Sequence, residues 1–342
     1  MEPEPRAMIF DLYRGTTHDG PGLRSTVFFK GCPLACRWCH NPEGIAFTQR
    51  VWWEARKCIG CLSCRAACPT GANRPREEGV FIDDASCVRC GACVSACPSR
   101  ALSFVAREWR LSELMREVLK DRHYYGQFGG GVTASGGEAL AQHSFVAAFF
   151  RELRREGVHT ALDTSGYAPR EALEAVLPFT DCVLYDVKLL DDGRHRRLTG
   201  KSNRLILQNL ELLGGEIRSG RARCELWIRT PLIPGATADA ENLSAIGAYL
   251  AETLGDAVSR WELCAFNNAC IGKYRRLGLP WEYEGIPLLG REEAARLREA
   301  ALSAGFSESR LAVTGILASG GGVTAQSTQK GPRSRRLRGP FF

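Results

Sequence analysis

A chain of 342 residues, 44% hydrophobic and 24% charged, is long enough for one large domain or two domains with a real core. Its net charge of +7 is mild, and no apolar run approaches the roughly 18 residues of a membrane span, which excludes a membrane-spanning class. The N-terminus, MEPEPRAM, lacks a signal-peptide pattern, so a cytoplasmic location is expected. Fifteen cysteines are many for such a chain, and eleven of them lie between Cys32 and Cys97. Their clustered spacing points to metal rather than to disulfides.

In chain order, residues 8–30 predict an opening ribbon and a first strand, with a turn at His18-Asp19-Gly20-Pro21-Gly22. A loop with Cys32-x3-Cys36-x2-Cys39 follows directly. Three thiolates in one tight loop suit a [4Fe-4S] cube that lacks one cysteine, leaving one iron free for a group that is not protein. Zinc normally takes four ligands, and thiols packed as hydrophobes have no reason to hold this spacing. Next come Cys58-x2-Cys61-x2-Cys64-x3-Cys68-Pro69 and Cys87-x2-Cys90-x2-Cys93-x3-Cys97-Pro98, an internal repeat of the bacterial ferredoxin run. In that pattern the fourth cysteine of each run crosses to the other cube. Cys58, Cys61, Cys64 and Cys97 are therefore expected on one cluster, and Cys87, Cys90, Cys93 and Cys68 on the second. Two zinc knuckles are the bland alternative.

From about residue 106 helices and strands alternate. Helices are expected at 111–119, at 145–153 closed by Gly157, at 169–177, at 203–213, at 243–250 stopped by Gly255, and at 291–304. Strands are expected at 132–134, 159–163, 182–187, 224–230 and 260–266, with a further one at 310–315. Alternation of this kind predicts a parallel sheet with right-handed crossovers. Each strand is apolar along its length and turns polar or glycine-rich at its C-terminal end, the active face of a βα-barrel. Those ends carry Ser135-Gly136-Gly137-Glu138, Asp163-Thr164-Ser165-Gly166, Asp186-Val187-Lys188, Arg229-Thr230 and Phe266-Asn267. Asp163, Thr164 and Asp186 offer hard oxygens that suit a cation. Taken singly, each is as well read as a turn or a helix cap. The triple glycine 129–131 is no P-loop, since no Gly-Lys-Ser/Thr follows it.

Cys-x3-Cys-x2-Cys with an aromatic, Trp38, before the last cysteine resembles the signature of the radical S-adenosylmethionine enzymes, in which the free iron chelates the cofactor's methionine end. For such a ligand, Gly136 and Gly137 offer close backbone, Glu138 a carboxylate for the ammonium, and Lys188 and Arg229 partners for the carboxylate. The likeness extends further. DGPGLRSTVFFKGCPLACRWCHNPEG, the two ferredoxin runs, GGGVTASGGEAL, LDTSG, YDVKLLDDGRHRRLTG and IRTPLIPG resemble the glycyl-radical-enzyme activating enzymes, in the larger type with a two-cluster ferredoxin-like insert. The resemblance implies an α/β fold, an incomplete (β/α)6 barrel with a small α+β insert. The corresponding boundaries are 1–48 for the barrel start, 49–105 for the insert, 106–316 for the rest of the barrel and 317–342 for a disordered basic tail. It also implies three [4Fe-4S] clusters, one site-differentiated and two auxiliary, S-adenosylmethionine, and a monovalent cation at Asp163, Thr164 and Asp186.

Gly136, Gly137 and Glu138 would serve the amino group, with Asp186, Lys188 and Arg229 around the methionine end. Asn267 stands where relatives carry a ribose-contacting histidine. The implied activity is reductive cleavage of S-adenosylmethionine to a 5′-deoxyadenosyl radical that removes hydrogen from a backbone glycine of a partner glycyl radical enzyme. A flavodoxin or ferredoxin would supply the electron. The rivals are a radical enzyme acting on a small molecule or peptide, and a ferredoxin-type electron carrier. No nucleic-acid-reading motif accompanies the basic tail.

Overall fold

The computed structural model describes residues 3–76 and 79–318; from residue 319 onward the expected basic tail lies outside the described residues. The described strands are β1 (Arg6–Thr16), β2 (Arg24–Phe29), β3 (Val51–Trp53), β4 (Asn73–Arg76), β5 (Gly79–Ile82), β6 (Leu102–Phe104), β7 (Arg107–Arg110), β8 (Gly131–Gly136), β9 (His159–Thr164), β10 (Cys182–Asp186), β11 (Glu225–Leu232), β12 (Arg260–Ala265) and β13 (Leu311–Thr314). Nine of them form one sheet in the order β13-β12-β11-β10-β9-β8-β2-β1-β7. Every neighbour from β2 to β13 is parallel. β1 and β7 add an antiparallel margin. The two outer strands, β13 and β7, do not pair with each other, so the α/β barrel stays incomplete. Six parallel strands were expected for the barrel, and β13 adds a seventh.

Burial follows from this order. β2 lies between β1 and β8, and all six of its residues are buried. Helix His143–Arg155 presents Phe145, Val146, Phe149, Phe150 and Leu153 to the core at three- and four-residue spacing. Each such apolar side chain contributes about 1.5–3 kcal/mol on burial. Just past its end, Gly157 takes φ +68°, the left-handed conformation that closes helices.

Three helices of seven or more residues escaped the sequence reading: Arg122–Phe128, Asp192–Thr199 and Ile271–Leu277. The second reads DGRHRRLT and has no apolar stripe. It starts because the Asp191 carboxylate accepts from Arg194 N at 2.5 Å. A helix expected to stop at residue 213 runs over Arg204–Arg218 instead. Gly214 and Gly215 read as a stop, but Gly214 is a packing glycine: a Cβ there would lie 2.7 Å from Leu254 Cδ2, and Leu254 is fully buried.

Residues 49–106 carry two two-stranded sheets, β3 with β6 and β4 with β5, and two four-residue helices, Ser63–Ala66 and Ala92–Ser95. Their small core is Val51, Cys64, Val80, Cys93 and Leu102. The chain leaves and re-enters the barrel side by side. Val105 N donates to Arg50 O at 2.8 Å, and the Gln49 amide exchanges two hydrogen bonds with the backbone of Ala106. The two copies of the repeat take the left-handed conformation at equivalent places: Gly60 and Arg89, Leu62 and Gly91, Gly71 and Arg100. A non-glycine residue there is strained by about 1 kcal/mol or more.

The two adjacent helix glycines give a test. Gly215→Ala, with nothing within 4 Å of its Cβ, is expected to raise stability by about 1 kcal/mol through helix propensity. Gly214→Ala should lower it. Equal stabilisation in urea unfolding would remove the packing role of Gly214.

Candidate active site

The loop after β2 carries the first three cysteines, and four parts of the chain hold it. Gly31 N and Cys32 N donate to Gly44 O (2.7 Å) and Ile45 O (2.9 Å). Ala35 N and Arg37 N donate to Thr199 O (2.8 Å) and Leu198 O (3.1 Å), at the end of helix Asp192–Thr199. From helix Ile271–Leu277, Tyr274 OH donates to Cys39 O at 2.9 Å, and Lys273 Nζ reaches Asn41 Oδ1 at 2.7 Å and Glu43 Oε1 at 2.8 Å. Lys30 Nζ donates to Glu43 O at 2.8 Å. Glu43 is only 1% exposed, so the Lys273 ammonium balances a buried charge.

All three cysteines are free thiols. Burial pushes each of them up, Cys39 to about 12. Desolvated thiols one loop apart ionise together only around a positive centre. The donor set therefore fits an iron–sulfur cluster, whose ligands are thiolates. The next polar groups stand on the C-terminal ends of β8 to β12. Gly136 takes φ +122°, and a Cβ there would lie 2.3 Å from Phe29 N. A Cβ on Gly137 would lie 2.5 Å from Gly31 O and 2.6 Å from Gly44 O. These glycines thus let the β8 end lie directly on the cysteine loop, a reason for glycine that the sequence reading had assigned to ligand approach. The Glu138 carboxylate, 1% exposed, accepts from Leu140 N (3.1 Å), Thr164 OH (2.6 Å), Ser165 N (2.9 Å) and Ser165 OH (2.6 Å). Burial raises its pKa, and these hydrogen bonds oppose the rise. Glu138 therefore stitches the end of β8 to the end of β9.

Across β9 to β12 buried charges alternate. Asp163 accepts from Ser135 OH at 2.6 Å and faces Arg229 Nη1 at 3.6 Å. Burial raises Asp163 to about 7 against the pull of Arg229. Asp186 holds Lys188 Nζ at 2.7 Å. Burial would lower the Lys188 ammonium, but Asp186 and the neighbouring Cys36 outweigh it and hold it well up. Arg229 Nε lies 3.7 Å from Glu262 Oε2 and lacks a hydrogen-bond partner. Glu262, in register with Arg229, was missed in the sequence; a lone acid inside an apolar strand was the available signal. Asp163, Thr164 and Asp186 do stand at adjacent strand ends, each with a protein partner. Trp38 is 5% exposed and packs with Phe266, Tyr274 and Trp281. His40 lies between the Phe266 and Trp281 rings. The Asn267 side chain accepts from Ala269 N at 3.1 Å, capping its own turn.

Two further cavities lie in the segment between β2 and β7. One is lined by Cys58, Cys61, Cys64 and Cys97, the other by Cys68, Cys87, Cys90 and Cys93. Here hydrogen bonds favour thiolate at Cys68 and Cys97, while burial raises Cys64 and Cys93. Against burial, amides of Asn73 and Thr70 hold the Cys68 thiol down at about 7, and Ala101 N donates to Cys97 Sγ at 3.2 Å. Both cavities fit sulfur-ligated clusters. Helix Ile271–Leu277 also joins this segment to the barrel: the Arg276 guanidinium lies 4.6 Å from the Trp52 ring centre and 3.8 Å from Glu54.

Lys273→Met would strand the buried Glu43 charge. The expected loss is about 3–5 kcal/mol, largely recovered in Lys273→Met with Glu43→Gln. Chemical unfolding of the three proteins checks it. An unchanged midpoint in Lys273→Met would remove the clamp.

Residues 50–107 match the family described as "4Fe-4S dicluster domain". The trans-4-hydroxy-L-proline dehydratase activating enzyme of Clostridioides difficile is 42% identical over 284 residues, covering 82% of this chain and 90% of that protein. The choline trimethylamine-lyase activating enzyme of Oleidesulfovibrio alaskensis is 37% identical, covering 86% and 94%. The benzylsuccinate synthase activating enzyme of Thauera aromatica is 35% identical, covering 90% and 94%. With three half-buried thiols on one loop, a polar rim of strand ends and these relatives along nearly its whole length, the chain belongs to the radical S-adenosylmethionine activating enzymes of glycyl radical enzymes.

Proposed function

We propose that Cys32, Cys36 and Cys39 hold the cluster at which this activating enzyme works, and that the remaining eight clustered cysteines hold two auxiliary [4Fe-4S] clusters. The pairing follows the two cavities: Cys58, Cys61, Cys64 and Cys97 on one, and Cys68, Cys87, Cys90 and Cys93 on the other. The observation that carries the reading is the half-buried three-thiol loop lying against the polar ends of the parallel strands. When bound, the cluster supplies the electron that cleaves S-adenosylmethionine, and the resulting 5′-deoxyadenosyl radical takes hydrogen from a backbone glycine of the partner enzyme.

The chain's own residues bind, orient and exclude water. Lys188 and Arg229 bring positive charge to the methionine carboxylate, with Asp186 orienting Lys188 and with Asp163 and Glu262 flanking Arg229. Gly136 and Gly137 bring backbone to the amino group, while Glu138 holds Thr164 and Ser165 in place. Trp38 and the aromatic side chains around it wall the cluster loop off from water, which protects a reactive radical. The gap between β7 and β13 leaves the barrel open to a glycine-bearing segment of the partner. Residues 49–105 are read as an auxiliary-cluster unit set between barrel residues 1–48 and 106–316. The electron donor is a flavodoxin or a ferredoxin. No described helix is long and apolar enough to cross a membrane. A cytoplasmic site of action is proposed because thiols stay reduced there.

Anaerobic reconstitution with iron and sulfide, followed by dithionite and S-adenosylmethionine, tests the reading. The native chain should form 5′-deoxyadenosine and methionine, and Cys36→Ala should form neither. Cleavage that persists in Cys36→Ala, or no cleavage in a chain carrying its full iron complement, would overturn it.

A further inference from the structure

The segment that holds the two outer cavities has an uneven charge layout. Its three described acids are all engaged: Asp83 pairs with Arg74, Asp84 with Arg50, and Glu54 lies against Arg276. Arg56, Lys57, Arg65, Arg89 and Arg100 are exposed, and among the described residues none of them forms an ion pair. Each stands next to a cysteine loop. Arg56 and Lys57 precede Cys58, Arg65 follows Cys64, Arg89 lies between Cys87 and Cys90, and Arg100 follows Cys97. At equivalent places in the two copies the cavity rims expose an apolar side chain, Ile59 at 68% and Val88 at 61%.

The backbone makes this layout more telling. Arg89 and Arg100 occupy left-handed positions, φ +58° and +54°. Their counterparts in the other copy are Gly60 and Gly71, where a Cβ would meet nothing within 4 Å. Space therefore does not decide between the two residues, and conformation favours glycine. Neither arginine makes an ion pair inside the described chain that would offset the strain.

We infer that this face docks an acidic protein that carries a low-potential one-electron centre. Exposed apolar side chains accompanied by cations that form no ion pair among the described residues complement a partner with an apolar contact spot inside an acidic rim. Docking here brings that partner's redox centre next to the two cysteine-lined cavities rather than to the strand ends, which are left to the glycyl radical enzyme. The inference rests on the cluster reading of those cavities and goes beyond it in naming the surface and the charge of the partner.

The test uses the full-length, reconstituted enzyme and a purified acidic two-cluster ferredoxin as probe, with association followed by surface plasmon resonance across ionic strength. Arg89→Glu with Arg100→Glu should slow association about tenfold at low salt and flatten its salt dependence. Arg89→Gly with Arg100→Gly should slow association as well while keeping or raising the thermal midpoint, which separates docking from folding. Iron content and dithionite-driven 5′-deoxyadenosine formation should match the unaltered enzyme in both variants. Unchanged association in both, with full iron, would overturn the inference. So would heparin binding as tightly as the ferredoxin with equal sensitivity to the substitutions, since the face would then attract any anion. If dithionite yields no 5′-deoxyadenosine in the unaltered enzyme although the variants lose ferredoxin binding, the activating reading fails and the docking face stands.

Discussion

Everything at the site depends on keeping three thiols together in a place largely shielded from water. Burial disfavours their ionised form, so the loop has little electrostatic reason to keep its shape by itself. Its shape is imposed from outside. Backbone carbonyls at 198–199 and 44–45 hold its first half, and Tyr274 and Lys273 hold its second. These anchors come from parts of the chain far apart in sequence, so the loop is correct only when the barrel is assembled around it.

The same economy governs the strand ends. Asp163, Asp186 and Glu262 are interleaved with Lys188 and Arg229, so no charge in the barrel lies far from its opposite. Breaking such an arrangement is more costly than making it is favourable, because the survivor is left desolvated. What the arrangement secures is orientation: Lys188 is fixed near Cys36, and Arg229 between Asp163 and Glu262, before any ligand arrives. The two sulfur environments differ in kind. In the barrel, burial dominates the thiols. In the outer segment, hydrogen bonds to sulfur outweigh burial at Cys68 and Cys97, whereas burial still prevails at Cys64 and Cys93.

The parallel sheet and the position of its polar edge were legible because apolar strands ending in SGGE, DTSG and DVK announce both where a strand stops and what it presents. The cysteine spacings were legible for a similar reason, since local loop geometry dictates them. What was not legible depends on register or on packing at a distance. Glu262 gains its place only when β12 pairs with β11. Helix Asp192–Thr199 buries His195 and Thr199 through hydrogen bonds rather than an apolar stripe, with His195 Nδ1 2.7 Å from Lys201 O and Thr199 OH donating to His195 O, so periodicity is silent there. Lys273 lies on a seven-residue helix too short for a pattern to emerge. Three of the four hydrogen-bond donors to Glu138 come from the end of β9, which no local motif mentions.

The narrow neck at Gln49–Arg50 and Val105–Ala106 has a further consequence. Because the outgoing and returning chain are hydrogen-bonded to each other before the outer segment begins, the sheet register of β1, β2 and β7 is indifferent to what hangs beyond that neck. Beyond the neck, the described contacts of the segment with the barrel include those of helix Ile271–Leu277, where Arg276 meets Trp52 and Glu54. A chain that joined residue 50 to residue 105 by a tight turn would keep the neck's Gln49–Ala106 hydrogen bonds and give up that contact, so a change in the outer segment reaches the cysteine loop through this helix rather than through the sheet.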